Sequence, residues 1–291
     1  EGEASLLSLI DREYSAESEV SDFDKFLPLP YLSPGFILPY SASSGCYWRR
    51  CAFCPEQAEA NPYRPIAPSR VISQLKSLIR SLNPILVHFT DNALSPAMVK
   101  ALSREPSAVP WYGFVRITRQ LAEPDFCRAL KRSGCAMLQI GLESGSQKVL
   151  DGFSKGIDLK IAQRSLENLK QAGIATYVYL LFGTPWETEL DAEKTLDFTV
   201  KHSETITFLN LALFNLPAFG PQAAELDTTP LDAEDLSLYR RFTHPAGWHR
   251  QKIRRFLDTK FRRHKAIAAI LRNDPPVFTS NHAPFFTNAL P

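Results

Sequence analysis

The sequence predicts an α/β protein: a partial, open (β/α)6 TIM-like barrel of parallel strands with a mainly helical C-terminal extension. Three observations predict it. Between Phe36 and Phe214, six short apolar runs alternate with amphipathic helical runs, the pattern of a buried parallel sheet. That span is shorter than the roughly 250 residues of a complete eight-unit barrel. A doubly wound sheet, the alternative, favours a Gly-rich phosphate loop after its first strand, and this chain has cysteines there instead. The expected division is a connector over 1–35, the barrel over 36–214, and a linker with a basic helical extension over 215–291.

The elements follow in order. FILPYS (36–41) is the first strand. From Pro68 onward, Val71, Ile72, Leu75, Leu78, Ile79 and Leu82 recur at helical spacing, with Pro68 and Ser69 as the start and Asn83-Pro84 as the stop. ILVHFT (85–90) is the second strand, and Pro96 opens a short helix to Ser103. WYGFVRIT (111–118) is the third strand. Pro124 begins a helix closed by Gly134, which places Cys127 mid-helix. CAMLQIGLES (135–144) is the fourth strand, opened by Cys135. The helix over 158–173 has Asp158 as its cap and Gly173 as its stop. IATYVYLLFG (174–183) is the fifth strand, 189–203 the next helix, and TITFLNLALF (205–214) the sixth strand.

Composition bounds the function. With 44% hydrophobic and 22% charged residues and a formal net charge of +2, the chain has an ordinary globular balance. It is large enough for one big or two medium cores. No run approaches the roughly 20 apolar residues of a membrane span, so no membrane partner is expected. The first ten residues, EGEASLLSLI, lack the basic n-region of a secretory signal. Five cysteines argue against a secreted disulfide framework and for a reducing compartment, the cytoplasm. A start at Glu1 rather than Met suggests a processed or truncated product that lacks an upstream domain.

Three of the five cysteines crowd into one loop, GCYWRRCAFC, as Cys46, Cys51 and Cys54. The loop leaves the first strand at its carboxyl end, where parallel α/β folds gather their chemistry. Three thiolates there suit an iron–sulfur cubane with one iron left open. Zinc is the rival, although structural zinc normally takes four ligands and no second cysteine pair follows. A Cys3His site through His88 would need a histidine from an apolar strand. Cys127 and Cys135 read as core residues.

On these residues the chain resembles the radical S-adenosylmethionine (SAM) enzymes over roughly Leu27 to Phe219. Phe53 stands where the family carries an aromatic, and the second cysteine gap matches. The first gap holds four residues, YWRR, where the family usually has three. Further segments occur in the family's order: HFTDNALS, QIGLESGSQKVLDGFSKG and YLLFGTPWET. The resemblance implies a [4Fe-4S] cluster on Cys46, Cys51 and Cys54, with SAM as cofactor. It implies that Thr90, Asp91 and Asn92 offer acceptors to the methionyl ammonium. Glu143, beside Ser144, would accept from the ribose hydroxyls or the amino group, and Lys155 would face the carboxylate. Leu181, Phe182 and Gly183 would border the adenine. Arg116 reads as pointing into the barrel towards an anion, or as paired with Glu143 or Asp91. The implied chemistry is reductive cleavage of SAM to a 5′-deoxyadenosyl radical, then hydrogen abstraction from an unknown substrate. Methyl transfer and peptide or small-molecule modification are the candidate outcomes, with a flavodoxin or ferredoxin as electron donor.

The stretch before the cysteine loop resembles the connector of the branch with an upstream cobalamin-binding-type domain. No Asp-x-His-x-x-Gly run occurs in the chain, so cobalamin has no support within it. After Phe214, NLPAFGPQAAELDTTPL reads as a linker. From Arg240 to Arg272 the basic residues are dense, with Ile253, Phe256, Leu257 and Phe261 between them at roughly helical spacing. A helix docked on the barrel is the expectation. A surface for RNA, a nucleotide-bearing substrate or an acidic peptide is the alternative. PPVFTSNHAPFF is expected to lie over the barrel. The competing function for the whole chain is a zinc-stabilised nucleic-acid-binding module built from the cysteine loop and the basic helix.

Overall fold

The computed structural model describes residues 23, 32–230, 238–276 and 279–287. The chain divides into two units, Glu1–Phe36 and Ile37–Pro291. Most of the expected connector lies outside the described residues; within the first unit, the rings of Phe23 and Phe36 meet edge to face at 5.9 Å.

The second unit is built on six parallel strands: β1 (Ile37–Tyr40), β2 (Leu86–Leu94), β3 (Trp111–Val115), β4 (Cys135–Glu143), β5 (Ala175–Phe182) and β6 (Phe208–Leu213). They lie in the sheet in chain order, β1 to β6, every neighbouring pair parallel. A doubly wound sheet would reverse its order at a switch point; this one never does. Right-handed crossovers all taken in one direction place the helices on one face and curl the sheet into an open barrel. The helices are α1 (Pro68–Leu82), α2 (Pro96–Leu102), α3 (Pro124–Arg132), α4 (Gln147–Gly152), α5 (Leu159–Gln171) and α6 (Glu189–Lys201).

Local chemistry sets the helix ends. Asp158 caps α5 by accepting from the amides of Lys160 and Ile161. Thr188 and Asp191 form a reciprocal capping box on α6. Inside the barrel Leu86, Tyr112, Met137, Tyr177 and Phe208 form the inner core. Ala283 and Phe285 pack into the same cluster, so the described part of the C-terminal segment lies against the barrel where its strands begin.

The stretch after β6 is not a linker. Strands β7 (Leu216–Pro217), β8 (Thr228–Pro230) and β9 (Tyr239–Phe242) form a small antiparallel sheet in the order β8-β9-β7. This corrects the basic helix too: Arg240 and Arg241 belong to a strand. The remaining basic residues lie on α7 (Arg250–Phe256), continued by a π-turn over Leu257–Phe261, and α8 (Lys265–Leu271). Ile253, Phe256, Leu257 and Phe261 are buried while Arg254, Arg255, Arg262 and Arg263 are exposed. Phe261 meets Phe182 of β5 edge to face at 5.3 Å.

The helix therefore holds to the barrel by its apolar stripe. Phe261→Ala is expected to cost about 3–5 kcal/mol of unfolding free energy, and Arg263→Gln less than about 0.5 kcal/mol. Chemical denaturation of both variants checks this; equal losses would contradict it.

Candidate active site at the strand ends

The cysteine loop is fastened before any ligand is considered. Asp91 is buried, and its carboxylate accepts from the amide of Ala42 (2.9 Å) and the hydroxyl of Ser43 (2.5 Å). This residue, expected to meet a ligand ammonium, anchors the loop's first residues. Burial raises its pKa, against the pull of those hydrogen bonds. Thr90 shares a hydroxyl hydrogen bond with Ser41 at 2.6 Å. Thr90, Asp91 and Asn92 all border a cavity within the barrel, with His88, Phe114, Gln139 and Tyr179.

At its other end the loop docks on the turn after α4. The amide of Ala52 donates to the Phe153 carbonyl at 3.0 Å, and the Phe53 ring meets Phe153 edge to face at 4.9 Å. The Trp48 indole donates to the Ser154 carbonyl at 3.0 Å. Its ring lies where a Cβ on Gly156 would fall, 2.2 Å away, and Gly156 has φ of +68°. Only glycine fits there on both counts. Trp48 comes from the YWRR gap, so the extra residue of that gap belongs to a loop whose tryptophan is seated in the fold.

Arg116 lies under this loop. Its guanidinium stacks on Trp48 with Cζ 4.2 Å from the ring centroid. It donates to the Cys51 sulfur at 3.6 Å and to the Lys155 carbonyl. It pairs with neither Glu143 nor Asp91, which corrects the expected ion pair. Lys155 pairs instead with Glu143, Nζ to Oε1 2.7 Å, with side chains 8% and 13% exposed. The Lys155 ammonium also stands 5.3 Å from the Phe53 ring centroid. Glu143 has φ of +68°, a conformation that costs a non-glycine residue about 1–3 kcal/mol. Gly141 makes room for the pair: a Cβ there would stand 2.6 Å from Glu143 Oε1 and 3.0 Å from Lys155 Nζ.

Cys46, Cys51 and Cys54 are free thiols. Burial raises the pKa of Cys51, and the charges of Lys155 and Arg116 oppose it. Burial likewise raises Cys54. Among the described residues, no three His, Cys, Asp or Glu side chains converge as a single-ion site. The donor set fits a thiolate-ligated cluster: three sulfurs at a strand end, with two cations beside one of them to offset its negative charge.

With this geometry in place, a family model described as the radical SAM superfamily matches residues 40–199, more than half of the chain. The chain belongs to the radical SAM superfamily. Its matched span reaches from the end of β1 through most of α6. It is 24% identical over 166 residues to an uncharacterized methyltransferase of Pyrococcus horikoshii, covering 55% of this chain and 36% of that protein. It is 26% identical over 212 residues to a tryptophan 2-C-methyltransferase of Streptomyces laurentii, 66% of this chain and 35% of that protein. Among solved structures, the radical SAM methyltransferase TsrM from Kitasatospora setae, with cobalamin and a [4Fe-4S] cluster bound, superposes with a TM-score of 0.55 at 21% identity. That match covers 66% of this chain and 36% of that one. The chain spans about a third of the length of the curated relatives it matches.

Three expected contacts of this radical SAM chain fall elsewhere. Ser144 is fully buried, and its hydroxyl shares a hydrogen bond with Thr195 of α6 at 3.1 Å. Phe182 is buried against Phe256 and Phe261, on the face away from the barrel cavity. Gly183, at φ of +85°, admits α7: a Cβ would stand 2.5 Å from Ile253 Cδ1. Leu181 is half-buried on the inner face.

Sequence reasoning missed Trp48 and also Glu187. The Glu187 carboxylate accepts from the Gly183 amide and from the Trp248 indole at 3.0 Å, tying the end of β5 to the C-terminal extension. His244 continues the tie through the Thr184 carbonyl at 2.9 Å. Burial lifts the Glu187 pKa from 4.5 to about 8, outweighing the hydrogen bonds that lower it. Burial also holds His88 in the barrel down at about 4, so that wall of the cavity is neutral near pH 7.

Glu187 is protonated in the fold but ionised in the unfolded chain between 4.5 and about 8. Stability should therefore fall as pH rises through that interval. Glu187→Gln should remove a decline on the order of 3–5 kcal/mol between pH 5 and pH 9. Denaturation midpoints of parent and variant at the two pH values test it; parallel declines would contradict it.

Proposed function

We propose that the chain holds a [4Fe-4S] cluster on Cys46, Cys51 and Cys54 and uses it with SAM in a radical alkylation or related modification of a substrate bound in the barrel. The observation that carries this reading is Cys51 held under Arg116 and beside Lys155 at the carboxyl end of the parallel sheet. When bound, such a cluster supplies one electron for cleavage of the sulfonium C–S bond, giving methionine and a 5′-deoxyadenosyl radical.

The protein's own work is placement and exclusion of water. Arg116 and Lys155 offset thiolate charge. Glu143 and Lys155 are complementary to the two ends of an amino acid: Glu143 accepts from the ammonium, and Lys155 meets the carboxylate. Exchanging one buried ion pair for two ligand contacts leaves no charge unpaired. Thr90 and Asn92 present polar atoms at the cavity mouth, and Leu181 offers an apolar edge for the adenine. His88, Gln139 and Tyr179, below them, face the substrate.

Methyl transfer is favoured because methyltransferases recur among the relatives, including the tryptophan 2-C-methyltransferase. Cobalamin, bound in the similar TsrM structure, is not required by this reading. The reductant is a low-potential one-electron donor of the flavodoxin or ferredoxin type. No helix among the described residues is long and apolar enough to cross a membrane.

Anaerobic reconstitution should load about four irons per chain and give visible charge-transfer absorbance. Alanine at Cys46, Cys51 or Cys54 should abolish both, and alanine at Cys127 or Cys135 should leave both intact. Glu143→Gln and Lys155→Met should keep the iron but weaken the response of the reduced cluster's paramagnetic spectrum to SAM. Full iron in the triple-cysteine variant, or a colourless protein with stoichiometric zinc, would overturn the reading.

A further inference from the structure

The basic residues after β6 are not spread evenly over the surface. Arg240 and Arg241 from β9 and Arg250 and Arg254 from α7 line one cavity of about 560 Å³, together with His249 and Asn215. Its back wall is apolar, formed by Phe214, Phe242 and Trp248. It borders Phe182 and Gly183 at the end of β5 and Leu213 at the end of β6, so it opens on the same end of the sheet as the cysteine loop.

Some exposed basic side chains of this chain meet carboxylates: Arg128 with Asp125, Lys260 with Glu193, Arg262 with Asp258. Here they do not. No carboxylate residue lines the cavity, and among the described residues none of its four arginines has an ion pair. Arg250 donates to Asn215 at 2.8 Å and Arg240 to Thr228 at 3.4 Å, both neutral acceptors. Four guanidiniums sharing one concave space repel one another. Their planar donor forks match phosphate oxygens in pairs.

The walls are also held in place from behind. Gly183 lets Ile253 approach, Trp248 donates to Glu187, and His244 meets Thr184. The site is therefore concave and braced, suited to a small ligand rather than to an extended polymer.

We infer that this cavity binds the phosphate or diphosphate group of a small molecule, with the rest of that molecule against the Phe214–Phe242–Trp248 wall. That this molecule is the substrate, anchored here with its reacting carbon over the barrel, rests on the function proposed above; the anion site itself does not.

The test uses pyrophosphate as the probe, titrated calorimetrically into the full chain with and without reconstituted iron, so that failure to load a cluster and failure to bind the anion are read separately. The parent should bind pyrophosphate saturably and more tightly than inorganic phosphate, with affinity that falls as salt is added. Arg241→Gln with Arg254→Gln should weaken binding roughly tenfold or more. Arg262→Gln with Arg263→Gln should leave it unchanged. All four substitutions are at exposed positions, and equal denaturation midpoints confirm that the variants fold. No saturable binding in the parent, equal losses in the two variants, or tighter binding of an RNA oligonucleotide lost through Arg262 and Arg263 would overturn the inference.

Discussion

The guanidinium of Arg116 makes three contacts at once: the Trp48 ring, the Cys51 sulfur and the Lys155 carbonyl. Each belongs to a different layer of the candidate site. Trp48 comes from the gap between the first two cysteines, Cys51 is a ligand candidate, and Lys155 leads through its ion pair to Glu143. Arg116 itself follows β3 directly, so one strand end sets the height of the cysteine loop. An arginine serves here because its planar cation can stack and donate in the same plane. A lysine could offset charge but could not bridge these three partners.

A second set of contacts fixes the rim on the opposite side. Glu187 links the Gly183 turn to Trp248, and Phe182 links β5 to Phe256 and Phe261. The C-terminal extension is thereby part of the barrel wall, and Ala283 with Phe285 lies against the barrel where its strands begin. The extension that was expected to be linker and helix supplies a brace and a basic cavity. An unbonded barrel edge at β6 is a natural place for such an addition, since an open parallel sheet leaves that strand's apolar outer face to be covered.

The fold was legible because six apolar runs spaced by helices admit few parallel arrangements, and the short span, with cysteines where a Gly-rich loop would stand, selected the open barrel. The cysteine loop was legible from its crowding of three cysteines after the first strand, with Phe53 before the third. Individual contacts were less so, and strand parity explains several of them. Alternation separates the side chains of Thr90 and Asn92 from that of Asp91: the first two are exposed and Asp91 is buried on Ala42 and Ser43, while all three residues border the cavity. The same rule turns Phe182 outward while Leu181 faces in. Ser144 was hidden by the tertiary placement of α6, which no local signal reveals. The pairing of β8, β9 and β7 was missed because β7 and β8, of two and three residues and each ending in proline, read as turns. Trp48 needed its distant partner Gly156 to become meaningful.

Protein contacts hold the cysteine loop in place, with Arg116 and the Trp48–Gly156 fit as the fastening. Amide hydrogen exchange on the iron-free chain measures this most directly. The Ala52 amide, bonded to the Phe153 carbonyl, should be protected in the parent. In Gly156→Ala, where the new methyl meets the Trp48 ring, it should exchange freely while the amides of α5 stay protected. An Ala52 amide that exchanges at the unprotected rate in the iron-free parent would contradict the account.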